Sequence, residues 1–307
     1  MKTKIILFLL CLATLNTMGQ TNGTITRQRK TTAKNDTIQR KTTAKKETRQ
    51  RKTTQAAPKK TQPARQAQQQ KPAASTSRPK GSLDNIMRNM VYVEGGTFTM
   101  GATSEQQNPY DDEKPTHRVS LSSFYIGKYE VTQALWKAVM GSNPSRFEGD
   151  NLPVERVSWN DCQTFLRKLN AMTGKNFRLP TEAEWEFAAR GGNRSRGYQY
   201  SGSNVLSDVA WYYDNSGSKT HNVGTKAPNE LGIYDMSGNV WEWCQDWYGD
   251  YHGYSQTNPT GQSSGSYRVD RGGGLSFIAR LCRVAFRDNY TPGSRGNGLG
   301  LRLALSQ

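Results

Sequence analysis

Residues 231–247 read LGIYDMSGNVWEWCQDW and carry the densest set of informative side chains in the chain. Trp241, Trp243 and Trp247 lie close together there. Because tryptophan is costly to leave in water, we expect these three side chains to begin a core. Four side chains with carboxylate or amide oxygens lie among them: Asp235, Asn239, Glu242 and Asp246.

Two interpretations of this stretch remain open from the residues alone. Gly232 and Gly238 indicate a tight backbone path, and a turn that gathers carbonyls and carboxylates suits calcium, which prefers oxygen ligands. The alternative is an aromatic core in which the polar side chains bond to one another, and composition alone favours it. In both cases a buried carboxylate requires a partner.

The N-terminus has the pattern of a secretory signal peptide over residues 1–19. Lys2 and Lys4 precede an apolar run from Ile5 to Ala13, and Gly19 offers a small residue for cleavage. The apolar run is too short for a transmembrane helix. The sequence therefore predicts an exported protein, whether periplasmic, on the cell surface or secreted.

Residues 20–82 are predicted to be a basic, repetitive, disordered tail and linker. The pentapeptide QRKTT recurs at Gln28, Gln39 and Gln50, and the segment carries a formal charge of +15, whereas residues 83–307 are formally neutral. Few apolar residues are present to support a fold. Attachment to an anionic polymer or a membrane surface and a solvated spacer remain equal alternatives. Nucleic acid is disfavoured, because export is predicted and stacking aromatics are missing.

Residues 83–307 are predicted to be a folded domain of mixed helices and strands. Helices are expected after Thr132, after Ser158 or Asn160, and after Thr181, where a capping box with Glu184 is present. The predicted strands are Met90–Glu94, Thr97–Met100, 115–121, 124–129, 153–158, 282–287 and 299–305.

The cysteines give little direct guidance. Cys11 lies in the predicted signal peptide, which leaves Cys162, Cys244 and Cys282 in the folded part. One disulfide with one free thiol and three buried thiols are both open.

A series of motifs identifies a family resemblance. The chain contains, in order, VYVEGGTFTMG, YEVT, PVERVSWND, RLPTEAEWE, DMSGNVWEW, RGG and GLRL. Together they resemble the formylglycine-generating enzyme and sulfatase-modifying factor family. The resemblance implies a single α+β domain with little regular secondary structure, related to the C-type lectin fold.

The resemblance also implies calcium. At one site the matching positions are Asp235, Gly238, Val240 and Glu242, with carboxylates from the first and last and backbone carbonyls from the other two. Asn215 and Gly217 match part of a second site.

The catalytic positions of the family are altered. Family enzymes oxidise a substrate cysteine with copper held by two cysteines after the RGG motif, and two soft thiolates are what select Cu(I). In this chain the position of the first copper-binding cysteine falls at Leu275 or Phe277, and Cys282 is the only cysteine after Arg271. Copper is therefore not expected, and no catalytic residue is predicted. If the protein nevertheless acts as an oxidase, Cys282 is the candidate catalytic residue.

Three hypotheses about function follow. The first is a non-catalytic module that binds a protein or glycan ligand in the cell envelope, with Gly274–Ala279 and Asp288–Gly298 as its contact loops. The second is an oxidase that converts a sulfatase cysteine to formylglycine. The third is a structural component of an envelope secretion or motility machine.

Overall fold

The computed structural model describes residues 85–307. The predicted signal peptide and basic tail lie outside the described residues. Within them, no helix is both long enough and apolar enough to cross a membrane.

Three helices begin at the predicted capping side chains. They are α1 (Gln133–Met140), α2 (Trp159–Thr173) and α3 (Glu182–Ala189), and a short α4 (Leu206–Val209) follows. Each cap hydroxyl accepts a hydrogen bond from a backbone N–H in the first turn, which satisfies a donor that the helix leaves unpaired. The caps are Thr132, Ser158 and Thr181. The capping box predicted at Thr181 is confirmed.

The first sheet has the order β1-β4-β11-β5 and is antiparallel throughout. It contains β1 (Met90–Val93), β4 (Phe124–Gly127), β11 (Ala304–Ser306) and β5 (Phe177–Arg178). Its inner face buries alternate residues such as Ile126, as the period of a strand requires.

The second sheet, in the order β10-β6-β8-β9, carries the tryptophan-rich stretch. Its strands are β6 (Trp241–Trp247), β8 (Arg268–Arg271), β9 (Arg287–Tyr290) and β10 (Leu299–Gly300). β10 runs parallel to β6, and the other pairs are antiparallel.

The third sheet has the order β2-β3-β7, formed by β2 (Gly96–Met100), β3 (His117–Leu121) and β7 (Gln256–Thr257). The predicted turn at Gly95 and Gly96 therefore joins strands of two different sheets, because β1 pairs with β4 and β2 with β3.

Three predicted strands differ in the structure. Residues 153–158 form only an isolated bridge at Pro153, because Arg156 adopts a φ of 62°, which no strand accommodates. Residues 282–287 begin at the end of a 3-10 turn (Ala279–Cys282), and the strand starts only at Arg287. The closing segment 299–305 divides between β10 and β11, which belong to different sheets.

Trp241 and Trp243 are buried in the main core, as predicted. They lie with the apolar faces of α1 and α2, where Trp136 stacks on Phe165 with ring centroids 4.8 Å apart. Trp247 differs, since it is half-buried and covered by the guanidinium of Arg268 at 3.4 Å.

Buried ion pairs join segments that are distant in the sequence. Arg283 makes a bidentate contact with Glu113, at 2.6 Å to each oxygen, and both side chains are fully buried. Charges in such surroundings are tolerated only when they are paired and hydrogen-bonded. The buried arginines that are paired in this way are Arg271, Arg283, Arg287 and Arg302.

Candidate functional site

The backbone turns sharply between Asp235 and the start of β6. Asp235, Gly238 and Asn239 have φ values of 59°, 83° and 57°. A Cβ atom at position 238 would lie 2.4 Å from the carbonyl oxygen of Trp211, so only glycine fits there. The turn leads directly into β6, which begins at Trp241. It brings Asp235 and Glu242 close enough for their charges to interact.

Glu242 is held by two donors in a site that excludes water. Arg302 donates from Nη2 to Oε1 at 2.6 Å and from Nε to Oε2 at 2.9 Å, while the indole Nε1 of Trp185 donates to Oε2 at 2.7 Å. Both Glu242 and Arg302 are fully buried. The charge of Glu242 is thus compensated within the fold.

Glu130 is a third carboxylate of the same cluster. Its Oε1 accepts from the Val240 N–H at 3.1 Å, and its Oε2 accepts from Asn239 Nδ2 at 2.7 Å. Burial raises the pKa of Glu130 well above its usual range, and the charges of Asp235 and Glu242 raise it further. One guanidinium therefore does not offset three neighbouring carboxyl groups, and Glu130 holds its proton to a higher pH than usual.

Asp235 has the least satisfied oxygen of the cluster. Its Oδ2 accepts from the Gly224 N–H at 2.7 Å, whereas its buried Oδ1 has no hydrogen-bond partner within residues 85–307. Burial raises the pKa of Asp235 to about 6; the Gly224 hydrogen bond and Arg302 oppose that rise, and Glu242 adds to it. An unpartnered carboxylate oxygen in the interior carries a desolvation penalty that a cation would remove.

One carboxylate oxygen of the cluster is open to a hard cation. Three carboxylates, Glu130, Asp235 and Glu242, face one guanidinium, and one oxygen of Asp235 is vacant. Across residues 85–307 no three His, Cys, Asp or Glu side chains are arranged as a metal cluster. A cation here would therefore need backbone carbonyls, and the predicted set contains two, those of Gly238 and Val240.

The second set of predicted calcium ligands is arranged differently. The amide of Asn215 accepts from the Tyr212 N–H at 2.8 Å and donates to the Ala210 carbonyl at 2.9 Å. Gly217 lies two residues further on with a φ of 61°. Since the amide is already bonded within this turn, no vacant ligand is evident, and calcium at Asn215 and Gly217 stays a prediction.

Cys282 is a buried thiol next to the RGG motif. It packs closely against Gly273, where an added Cβ atom would lie only 2.6 Å from the Cys282 Sγ. Burial raises the pKa of the Cys282 thiol to about 12. Its apolar neighbours include Leu206 and Val209. The three cysteines of the described region, Cys162, Cys244 and Cys282, are all free and buried. A thiol in such surroundings stays protonated and unreactive at neutral pH.

Apolar side chains occupy the positions where the resemblance would place a first copper-binding cysteine. Leu275 is buried, and Phe277 packs edge-on against Trp241 with ring centroids 5.1 Å apart. These contacts form part of the core instead of a polar cleft.

Comparison with known proteins identifies the family. Residues 75–307 match the sulfatase-modifying factor enzyme 1-like domain. The chain belongs to the sulfatase-modifying factor family.

Relatives within this family carry different names. The chaperone protein LppX of Paenibacillus barcinonensis is 36% identical over 272 residues, which cover 72% of this chain and 91% of LppX. The formylglycine-generating enzyme of Thermomonospora curvata is 31% identical over 297 residues, covering 74% of this chain and 96% of the enzyme. The solved structure of Treponema denticola variable protein 1 superposes with a TM-score of 0.65 and 37% identity, covering 71% of this chain and 95% of that one.

Two residues of the acidic cluster escape the sequence prediction. Glu130 lies in the YEVT motif and Arg302 in the GLRL motif, both of which indicate the sulfatase-modifying factor family, yet neither residue was assigned a role. For Arg302 the available signal is a charged residue between two leucines, since such a residue is buried only when it is paired.

Proposed function

We propose that this protein is an exported, non-catalytic member of the sulfatase-modifying factor family that binds a protein or glycan ligand in the cell envelope. The observation that carries the proposal is the single buried thiol after RGG. Cys282 has no second cysteine beside it among the described residues, and burial raises its pKa to about 12. Copper oxidation chemistry in this family depends on a pair of thiolates, and one protonated thiol cannot replace them.

Calcium belongs to this proposal as a structural ion. Asp235 and Glu242, together with the carbonyls of Gly238 and Val240, would hold it, and the vacant Oδ1 of Asp235 supports the assignment. Bound calcium would supply the positive charge that Arg302 alone does not provide, and so would fix the turn that leads into β6.

The first contact loop, Gly274–Ala279, has exposed side chains that a ligand could contact. Tyr213 and Ile278 are 62% and 51% exposed, and the Tyr213 N–H donates to the Phe277 carbonyl at 3.1 Å, so both lie on one connected surface. Arg280 is fixed beside them by a hydrogen bond from Nε to the Asn108 carbonyl at 2.8 Å. Exposed apolar and aromatic side chains on ordered loops are typical of ligand-binding surfaces.

The second contact loop, Asp288–Gly298, is bonded to the start of α2. Arg295 donates to both oxygens of Asp161, at 2.7 and 2.9 Å, and the Asn160 N–H donates to the Pro292 carbonyl at 3.2 Å. A loop held in this way loses little conformational entropy when it binds.

An oxidation assay tests the non-catalytic part of the proposal. The full chain is incubated with copper and a Cys-x-Pro-x-Arg peptide, beside the Thermomonospora curvata enzyme as a positive control, and formylglycine is measured by mass spectrometry. We expect no conversion, and metal analysis should find calcium without copper. Conversion that is lost in Cys282→Ser would establish the oxidase hypothesis instead, which the 31% identity to that enzyme favours.

A binding screen tests the contact surface. Envelope proteins and glycans captured by the wild-type chain are compared with those captured by Tyr213→Ala and Ile278→Asp. The matched control is Tyr92→Ala, which removes a tyrosine that is 47% exposed on β1. Ligands lost from both loop variants but kept by the control would support the proposal; capture of the same ligands by all variants would contradict it. Stoichiometric capture of a large envelope assembly would favour the structural hypothesis.

We also propose that residues 20–82 attach the protein to an anionic polymer or membrane surface through their charge of +15. Cosedimentation of the full chain with phosphatidylglycerol vesicles should fall as salt increases, because salt screens such attraction. Vesicles of phosphatidylcholine alone provide the control. Equal binding to both lipids would contradict the electrostatic mechanism.

A further inference from the structure

A cavity of about 150 Å³ lies away from both the acidic cluster and the RGG loops. It opens to the surface and is lined mainly by the N-terminus of α3, the end of β6 and residues 249–262. An isolated bridge between Trp247 and Gln262 closes this segment back onto β6. Neither Asp235 nor Cys282 lines the cavity.

Asp246 presents an unpartnered oxygen in this cavity. The residue is 3% exposed, and its Oδ2 accepts the Glu182 N–H at 3.0 Å, whereas its Oδ1 has no hydrogen-bond partner among residues 85–307. Gly261 lies directly against it, since a Cβ there would come within 3.0 Å of Oδ1. A carboxylate that is nearly buried and half-satisfied needs a donor from elsewhere.

The neighbouring charges are already paired. Glu182 accepts two hydrogen bonds from Arg287, at 2.7 and 2.6 Å, and one from the Tyr251 hydroxyl at 3.1 Å. Arg287 also donates to the Gly249 carbonyl at 2.8 Å. The charge of Arg287 acts on Asp246 and opposes the rise in its pKa, but the guanidinium bonds to Glu182, and no cation among residues 85–307 forms a hydrogen bond with Asp246.

The surroundings of Asp246 are acidic. Burial raises its pKa to about 8, and the charge of Glu182 contributes to the rise. Asp250 adds an exposed carboxylate at the cavity edge. The titratable and charged groups that face Asp246 or share its cavity are Glu182 and Glu184 on α3, Arg287 on β9, Arg268 on β8, Cys244 on β6, His117 on β3, and Asp250, Tyr251, His252 and Tyr254 on the loop after β6.

The walls of the cavity offer aromatic faces and a further acceptor. The Tyr251 ring packs against the His117 ring with centroids 4.8 Å apart, and Trp247 and Tyr254 also line the cavity. His117 Nδ1 lies 3.3 Å from the Pro115 carbonyl and donates to it, so the neutral imidazole would offer Nε2 as an acceptor. Aromatic faces together with acceptors attract cations that carry N–H groups.

We propose that this cavity binds a small organic ammonium group, with Asp246 as its counter-ion among the aromatic side chains that line the cavity. The volume suits an aminoalkyl chain about as large as a lysine side chain. A free amine and a lysine of a partner protein share this chemistry. The site does not depend on the proposed function, because it uses neither the calcium ligands nor the RGG loops.

Isothermal titration calorimetry on the full chain tests this site. The probes are n-butylamine, Nα-acetyl-lysine methylamide and the neutral Nα-acetyl-norleucine methylamide, which is the matched control. We expect both amines to bind and the neutral compound to produce no binding heat. Binding of the lysine derivative alone would also support the site and would identify a peptide lysine as its source. No binding by either amine, or equal binding of the neutral compound, would overturn the proposal.

Two further measurements locate the binding. Asp246→Asn should weaken amine binding by at least about tenfold, whereas Asp250→Asn at the exposed edge should weaken it by less than about threefold. In the wild-type chain at neutral pH, amine binding should ionise Asp246 and release protons, so the measured enthalpy should differ between buffers of different ionisation enthalpy. Proton release that disappears in Asp246→Asn would place the ammonium group at Asp246, whereas equal release in both proteins would contradict that placement.

Discussion

Glu242 and Arg302 form a bidentate ion pair, with Arg302 Nη2 2.6 Å from Glu242 Oε1, in a site where neither side chain reaches solvent. The same guanidinium donates to the Gly127 and Tyr234 carbonyls, at 2.8 Å each. Arg302 therefore joins the end of β4 in the first sheet to β6 in the second. A pair that satisfies this many groups is costly to break, because each lost partner leaves a buried polar atom.

Arg302→Met should lower the free energy of unfolding by about 3–5 kcal/mol, since it leaves Glu242 without its counter-ion. Urea denaturation followed by tryptophan fluorescence measures the change. The control is Lys137→Met, which removes the exposed pair with Asp150 and should cost less than about 1 kcal/mol. Equal losses in both variants would mean that the pair does not hold the sheets together.

Calcium should raise the midpoint of thermal unfolding of the wild-type chain, and a chelator should reverse the rise. At a calcium concentration about 100 times the dissociation constant, the gain is about 2.7 kcal/mol. Asp235→Ala should remove most of this gain, because Asp235 supplies the vacant oxygen. Asp150→Ala, which changes an exposed carboxylate, serves as the control. A wild-type midpoint that ignores both calcium and chelator would refute the calcium assignment.

Asp246 should make stability depend on pH. Its pKa is raised from 3.8 to about 8 in the folded protein, so the folded state holds a proton that the unfolded state releases. The resulting stabilisation is complete below pH 3.8 and is lost as the pH rises through about 8. The loss in the wild type has an upper bound of about 6 kcal/mol.

Urea denaturation across this pH range checks the effect, and Asp246→Asn should flatten the profile because an amide does not titrate. Asp250→Asn, on the exposed loop nearby, controls for a general change in charge. Parallel profiles for Asp246→Asn and the wild type would show that Asp246 is not the group responsible.

Ser158→Ala should destabilise the protein by about 1 kcal/mol, because Ser158 Oγ accepts the Asp161 N–H at 3.1 Å at the start of α2. Thr164→Ala, which removes an exposed hydroxyl inside the same helix, is the matched control and should change stability much less. Urea titration measures both. If the two variants cost the same, the cap contributes nothing beyond an ordinary hydroxyl.

The helices could be predicted because their signals are local. Thr132, Ser158 and Thr181 each satisfy a donor within their own first turn, so no distant residue is needed to specify them. The strand predicted at 153–158 is wrong for the opposite reason. The N–H of Arg156, whose φ is 62°, donates to the Gly296 carbonyl at 3.0 Å, and this distant partner holds the backbone out of a strand.

The acidic cluster could be predicted only in part. Asp235 and Glu242 lie within one motif, whereas Glu130 reaches Val240 across 110 residues and Arg302 reaches Glu242 across 60. Nothing in the local pattern couples such positions.

The sequence by itself determined the family, the capped helices and the absence of a second cysteine after Arg271, because these depend on residue identity and on contacts within a few positions. Only the tertiary structure decided which charges are buried together and which oxygens lack partners. Pairing of Glu242 with Arg302 and exposure of Asp246 Oδ1 to a cavity arise when distant elements pack. Burial then changes the energy of each charge far more than its sequence neighbours do.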